Sequence, residues 1–171
     1  MKAASEEAMM SDMLVKLYEL PAIAPVLQRM TAQGIAIRHP QPGDQRAVLS
    51  WVKRHFGKGW LPECELAFRT VPAACLIAVR DQTLLGFACY DCTAKNFFGP
   101  TGVVESAHGS GIGTALLLTA LDRMKQAGYG YAIIGGVGPT AFYAKTVGAV
   151  VIEGSSPGIY TEPLTGSREV R

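Results

Sequence analysis

From residue 103 to residue 118 the chain reads V-V-E-S-A-H-G-S-G-I-G-T-A-L-L-L, with glycine at 109, 111 and 113 where an apolar pair runs into a helix-like apolar stretch. Glycines at such a junction let the backbone approach a ligand closely. A Walker A loop needs lysine after its last glycine, and none follows here. A dinucleotide fingerprint would begin at Gly109 and Gly111 but meets Thr114 where a third glycine belongs, and it lies far from the first strand. A third use needs neither motif: bare N–H groups at the start of a helix, reinforced by the helix dipole, suit a pyrophosphate. A tight turn without a ligand is the alternative that spacing alone leaves open. Cys89-Tyr90-Asp91-Cys92 spells C-x-x-C, the pattern of a redox pair or half a zinc site. The run 84–90 reads as a strand, on which positions three apart face opposite sides, so these thiols are expected to diverge. With no second such pair, all four cysteines are expected to be structural and no metal is expected.

The elements that must position these groups follow from period and punctuation. Residues 5–33 place Met13, Leu14, Leu17 and Leu20, then Ile23, Val26, Leu27 and Met30, at helical spacing, predicting a helical N-terminal extension over 1–33 and one further domain over 34–171. A strand is expected at 35–38, a helix from Pro42 to Phe56 and a short helix from Pro62 to Phe68. Strands at 74–79 and 83–90 flank a hairpin turn, and a third at 97–104 carries Gly99-Pro100, the mark of a bulge or edge. A helix at 114–128 buries Leu116, Leu117, Ala120, Leu121 and Met124 on one face. A strand at 131–135, a helix at 139–147 and strands at 149–152 and 158–161 complete a mixed α/β sheet.

At 171 residues with 49% hydrophobic and 18% charged residues, the chain has the composition of a globular domain. A net charge of +2 does not indicate nucleic acid. No apolar run reaches the roughly 18–20 residues of a membrane span, and the acidic start lacks a signal peptide's apolar region. No membrane association is expected, and the expected location is the cytoplasm.

His108-Gly109-Ser110-Gly111-Ile112-Gly113 resembles motif A of the GCN5-related N-acetyltransferases, Q/R-x-x-G-x-G/A, with histidine where glutamine or arginine is usual. The preceding Val103-Val104, the 114–128 helix, the 131–135 strand and Phe142-Tyr143-Ala144-Lys145-Thr146-Val147-Gly148-Ala149 match that family's second half in order. The resemblance covers about residues 35–162. It implies an acyl-coenzyme A N-acyltransferase fold: a mostly antiparallel mixed sheet with splayed strands, flanked by helices. It implies acetyl-coenzyme A as co-substrate, with pyrophosphate on the amides of Gly109, Ser110, Gly111, Ile112, Gly113 and Thr114 beside His108. The pantetheine arm would pair with Val103 and Val104, and Lys145 would meet the 3′-phosphate.

The resemblance makes Tyr143 the acid that protonates the departing thiolate. A phenol near pKa ~10 does this only modestly uphill of a thiol near ~8.5. Some family members place a glutamate base early on the strand before motif A; here that stretch is Lys95-Asn96-Phe97-Phe98. Asp91 and Glu105 are the candidate bases, with Glu63 and Glu65 behind them. Trp60, Glu63 and Tyr90 are candidates for the acceptor pocket, which would take a small-molecule amine such as an aminosugar or another cationic amine. Family members are often dimers, so a homodimer is an expectation. A non-catalytic acyl-coenzyme A sensor and a protein N-acetyltransferase remain as alternatives.

Overall fold

A computed structural model of the chain describes residues 11–161 and Leu164. The hairpin sets the frame. β3 (Cys75–Arg80) and β4 (Thr83–Tyr90) pair antiparallel across Asp81 and Gln82, both in the left-handed region at φ 48° and 60°. A two-residue turn with both φ values positive matches the right-handed twist of its flanking strands. With β1 (Met13–Lys16), β2 (Ala36–Arg38), β5 (Phe97–Val103), β6 (Tyr131–Ile134) and β7 (Val150–Val151), the sheet runs β2-β3-β4-β5-β6-β1-β7. Every pairing is antiparallel except β5 with β6, and that one holds at only two positions, Phe97 with Ile133 and Phe98 with Ile134. β6 then ends while β5 continues to Val103, so the two strands part.

Helices cover both faces. Along β3, Leu76 and Ala78 join one core while Cys75 and Ile77 join the other, as alternation on a strand requires. The first core packs against α1 (Ala24–Ala32), through Val26 and Met30, and α4 (Ile112–Gln126). The second packs against α2 (Gln45–Phe56), through Val48 and Val52, and α3 (Leu61–Ala67), through Cys64 and Ala67. α5 (Thr140–Val147) closes the first face beside the gap. α4 is buried well beyond the face its period predicts: Ile112, Ala115, Leu118 and Thr119 are inside too. Thr119 settles its hydroxyl by donating to the Ala115 carbonyl at 2.7 Å.

Three expectations are corrected. The predicted helix over 5–33 holds at Ala24–Ala32, but Met13–Lys16 is a strand lying between β6 and β7, and residues 1–10 fall outside the described residues. Met13 and Val15 are buried in sheet alternation, so pairing with distant segments overrode a local apolar pattern that also fitted a helix. Residues 158–161 form no strand; they follow a turn that sends Tyr160 back toward the sheet. The thiols of Cys89 and Cys92 do not diverge. Asp91, at φ 58°, reverses the chain just past β4, and Cys89 meets Cys64, Cys75 and Cys92 in the second core. Thiol–thiol hydrogen bonding to Cys64 first, then to Cys75 and Cys92, together with burial, raises Cys89 well above the ordinary thiol range.

Candidate active site

The parting of β5 and β6 opens a cavity of about 1110 Å³, above the roughly 300–1,000 Å³ of common ligand pockets. Its walls draw on both faces of the sheet: Gly109, Gly111 and Thr114 from the glycine loop, Tyr143 from α5, and Trp60 and Glu63 from the helices of the opposite face. It is therefore a passage through the sheet rather than a dent in one side.

The glycine loop is held open to this passage. Gly109 and Gly111 sit at φ 79° and 89°, where other residues are strained. A Cβ on Gly109 would meet nothing within 4 Å, and one on Gly113 only a Val103 methyl at 3.9 Å. Among the described residues, the N–H groups of Gly109, Gly111, Ile112, Gly113 and Thr114 have no backbone acceptor; Ala115 is the first amide to bond back, to Gly111 at 3.0 Å. These are the orphan donors of a helix start, gathered at the positive end of its dipole. Gln33, following α1, steadies the loop by donating to the Ser110 carbonyl at 3.2 Å, and Ser110 ties its hydroxyl to Ala107 at 2.6 Å. Ser110 itself points away from the cavity wall.

β5 forms the adjoining wall. Val104 donates to Leu85 at 2.9 Å, and alternation along an antiparallel pair then turns the polar groups of Thr101 and Val103 outward, toward the gap. His108 donates from Nε2 to the outward Val103 carbonyl at 3.0 Å. Gly102 has to be glycine because a Cβ there would lie 2.5 Å from the Phe56 ring.

Tyr143 is buried at 7% exposure, its ring edge-on to Phe98 and Phe142. Among the described residues its hydroxyl makes no hydrogen bond, yet no buried side-chain oxygen lacks a partner, so that hydroxyl opens to the cavity. Burial raises its pKa and keeps the phenol protonated. On the other face, Glu63 is half-buried and accepts a short hydrogen bond from the Thr93 hydroxyl. Trp60 presents one side to the cavity while its ring packs on Phe56 at 5.3 Å and Phe87 at 6.1 Å.

Other sequence candidates fall elsewhere. Asp91 spends its carboxylate on the Asn96 amide at 2.8 Å and the Tyr129 hydroxyl at 3.1 Å, outside the cavity wall. Glu105 is exposed on the short turn Glu105–Ala107, Lys145 is exposed on α5, and Tyr90 and Val104 pack against the core. None of these four lines the cavity. Tyr160, Thr93 and Phe142 do line it and went unnoticed as site residues.

Among the described residues no helix is long and apolar enough to cross a membrane. The family model for the acetyltransferase (GNAT) family matches residues 46–149. No match was found among curated protein sequences. Similar solved structures include the glucosamine N-acetyltransferase region of a fungal multi-domain β-N-acetylglucosaminidase, at 16% identity and TM-score 0.69, covering 83% of this chain and 19% of that one. A GCN5-related N-acetyltransferase from Sphaerobacter thermophilus superposes at TM-score 0.64 with 22% identity, over 83% of this chain and 48% of that one. The chain thus spans about half or less of the length of these structures. A family match that takes in α2 through the end of α5, more than half of the chain, makes this chain a member of the GNAT acetyltransferase family.

Proposed function

We propose that the chain transfers an acetyl group from acetyl-coenzyme A directly to the amine of a small molecule. The observation that carries this reading is the passage itself, which joins a cradle of free amides on one face to a carboxylate and an indole on the other, with Tyr143 on its wall. The residues suit the cofactor. A cradle that any β-carbon at Gly109 or Gly113 would begin to fill offers the N–H groups of positions 109 and 111–114 to its pyrophosphate. The outward groups of Thr101 and Val103 offer its pantetheine arm a strand-like partner. When bound, acetyl-coenzyme A supplies an activated thioester carbonyl.

The chain's own residues do the rest. Glu63 attracts the incoming ammonium and takes its proton, since a free amine at pH 7 costs ~4–5 kcal/mol for an ordinary pKa near ~10.4. Glu63 replaces Asp91 and Glu105 in this role because it alone of the three faces the cavity. Tyr143 holds a proton at Oη for the departing sulfur, and burial ensures that the proton is there.

Release of coenzyme A thiol across a panel of small amines tests the reading. Tyr143→Phe is expected to fold normally, because the hydroxyl makes no hydrogen bond among the described residues, and to lose roughly 10²-fold or more in kcat. Full turnover by that variant would remove Tyr143 from the chemistry, and no turnover by the native chain on any amine would overturn the proposal.

A further inference from the structure

Asp12, just before β1, is buried at 5% exposure and ties three distant segments together. Its Oδ1 accepts the Gly136 amide at 2.8 Å, its own N–H donates to Ser155 Oγ at 2.8 Å, and its carbonyl accepts the Ile152 amide at 2.9 Å. The turn so anchored closes at Gly158, φ 69°, where a Cβ would come within 2.7 Å of the Ser155 carbonyl and 3.2 Å of Asp12 Oδ2. Its product is the placement of Tyr160. The ring lies over Gly136, and the hydroxyl stands where a side chain on Gly135 would be.

That position is on the acceptor side. Phe98 faces Tyr143, and its neighbour Phe97 must point to the opposite face of the sheet. A Cβ on Gly135 would meet both Phe97 and Tyr160, so the Tyr160 hydroxyl shares the Phe97 face, which is also the face of Trp60 and Glu63. Burial first, then the negative charges of Asp12 and Glu63, push its phenol up to about 12, so it is a donor throughout the working pH range. Among the described residues it donates to nothing.

We propose that Tyr160 sets acceptor specificity by donating a hydrogen bond to an oxygen of the amine substrate while Glu63 holds its nitrogen. The favoured substrates are then amino alcohols and aminosugars rather than plain alkylamines. This rests on the acetyl-transfer reading above and adds the second functional group the acceptor must carry.

The test compares native chain and Tyr160→Phe on two matched pairs, glucosamine against cyclohexylamine and 2-aminoethanol against propylamine. The native chain should favour the oxygen-bearing member of each pair in kcat/KM by roughly 5- to 10-fold, the worth of one neutral hydrogen bond. Tyr160→Phe should bring the ratio close to one by losing only on the oxygen-bearing member, with KM for acetyl-coenzyme A unchanged. An unchanged ratio, or an equal loss on both members, overturns the assignment. If the native chain acetylates none of the four amines, the acetyl-transfer reading is decided by the wider amine panel above. Ligand-observed NMR binding of the same pairs then decides Tyr160 separately: a preference abolished by Tyr160→Phe upholds it, and equal binding to both proteins refutes it.

Discussion

Gly113→Ala separates binding from folding at the glycine loop. Gly113 has ordinary helical geometry on the first turn of α4, and the added methyl would sit 3.9 Å from a Val103 methyl, in contact without overlap. Replacing glycine by alanine in a helix stabilises by up to about 1 kcal/mol. For a chain of this size that leaves Tm unchanged or raised by about 1–4 °C. The same methyl enters the space between the amides of α4 and the outward edge of β5, where the proposed function places the cofactor's diphosphate. Losing one or two charge-assisted hydrogen bonds, each worth about 1.5 kcal/mol, weakens coenzyme A binding roughly 10- to 100-fold. Calorimetric titration with coenzyme A beside a thermal melt reads both quantities. Gly109→Ala serves as the contrast, since φ 79° makes it lose about 1–2 kcal/mol of stability as well. A folded Gly113→Ala protein with native affinity would refute the placement of the diphosphate.

Asp44 accepts from Arg38 at 2.8 Å and from the Gln41 amide at 2.8 Å, which together hold its carboxyl below the ordinary value. A depressed carboxyl contributes stability that is present above pH ~4 and is lost as pH falls further, so Asp44→Asn should flatten denaturation midpoints between pH 5 and 3. The four free cysteines are all buried, and a thiol reagent should react slowly with the folded protein and at full stoichiometry after denaturation; rapid native labelling of Cys89 would contradict the packing. Asp12→Ala removes the buried carboxylate that accepts the Gly136 amide and should cost about 1.5–3 kcal/mol in chemical denaturation, while also erasing the oxygen preference assigned to Tyr160.

What was legible in the sequence was what local rules decide. The Asp81-Gln82 turn, the Gly99-Pro100 irregularity and the α4 stripe each follow from a few adjacent residues, and each is where period and punctuation put it. The glycine loop was legible because its chemistry is contiguous. Glu63 and Asp91 could not be ranked as bases that way. Both are carboxylates of similar local context, and only the meeting of Thr93 with α3 and of Tyr129 with the end of β4 decides which one stays free to face the passage. β1 and Tyr160 were misread for the same reason. Their positions depend on partners at the far end of the chain, through Ile134, Val151 and the Asp12 carboxylate, and a window of neighbouring residues carries no trace of those encounters.

The seat of β1 also dictates an order of assembly. Met13 pairs in register with Ile134 and with Val151, so a strand early in this sequence borders two that come far later in it. Non-local pairings of this kind slow folding, because loop closure must be met before contacts repay it. The hairpin of β3 and β4 and its helices can collapse early, but the half of the sheet beside Tyr143 and Tyr160 is sealed only once β1 has found β6 and β7. Until then Met13 and Val15, buried in the folded chain, leave apolar surface exposed to aggregation.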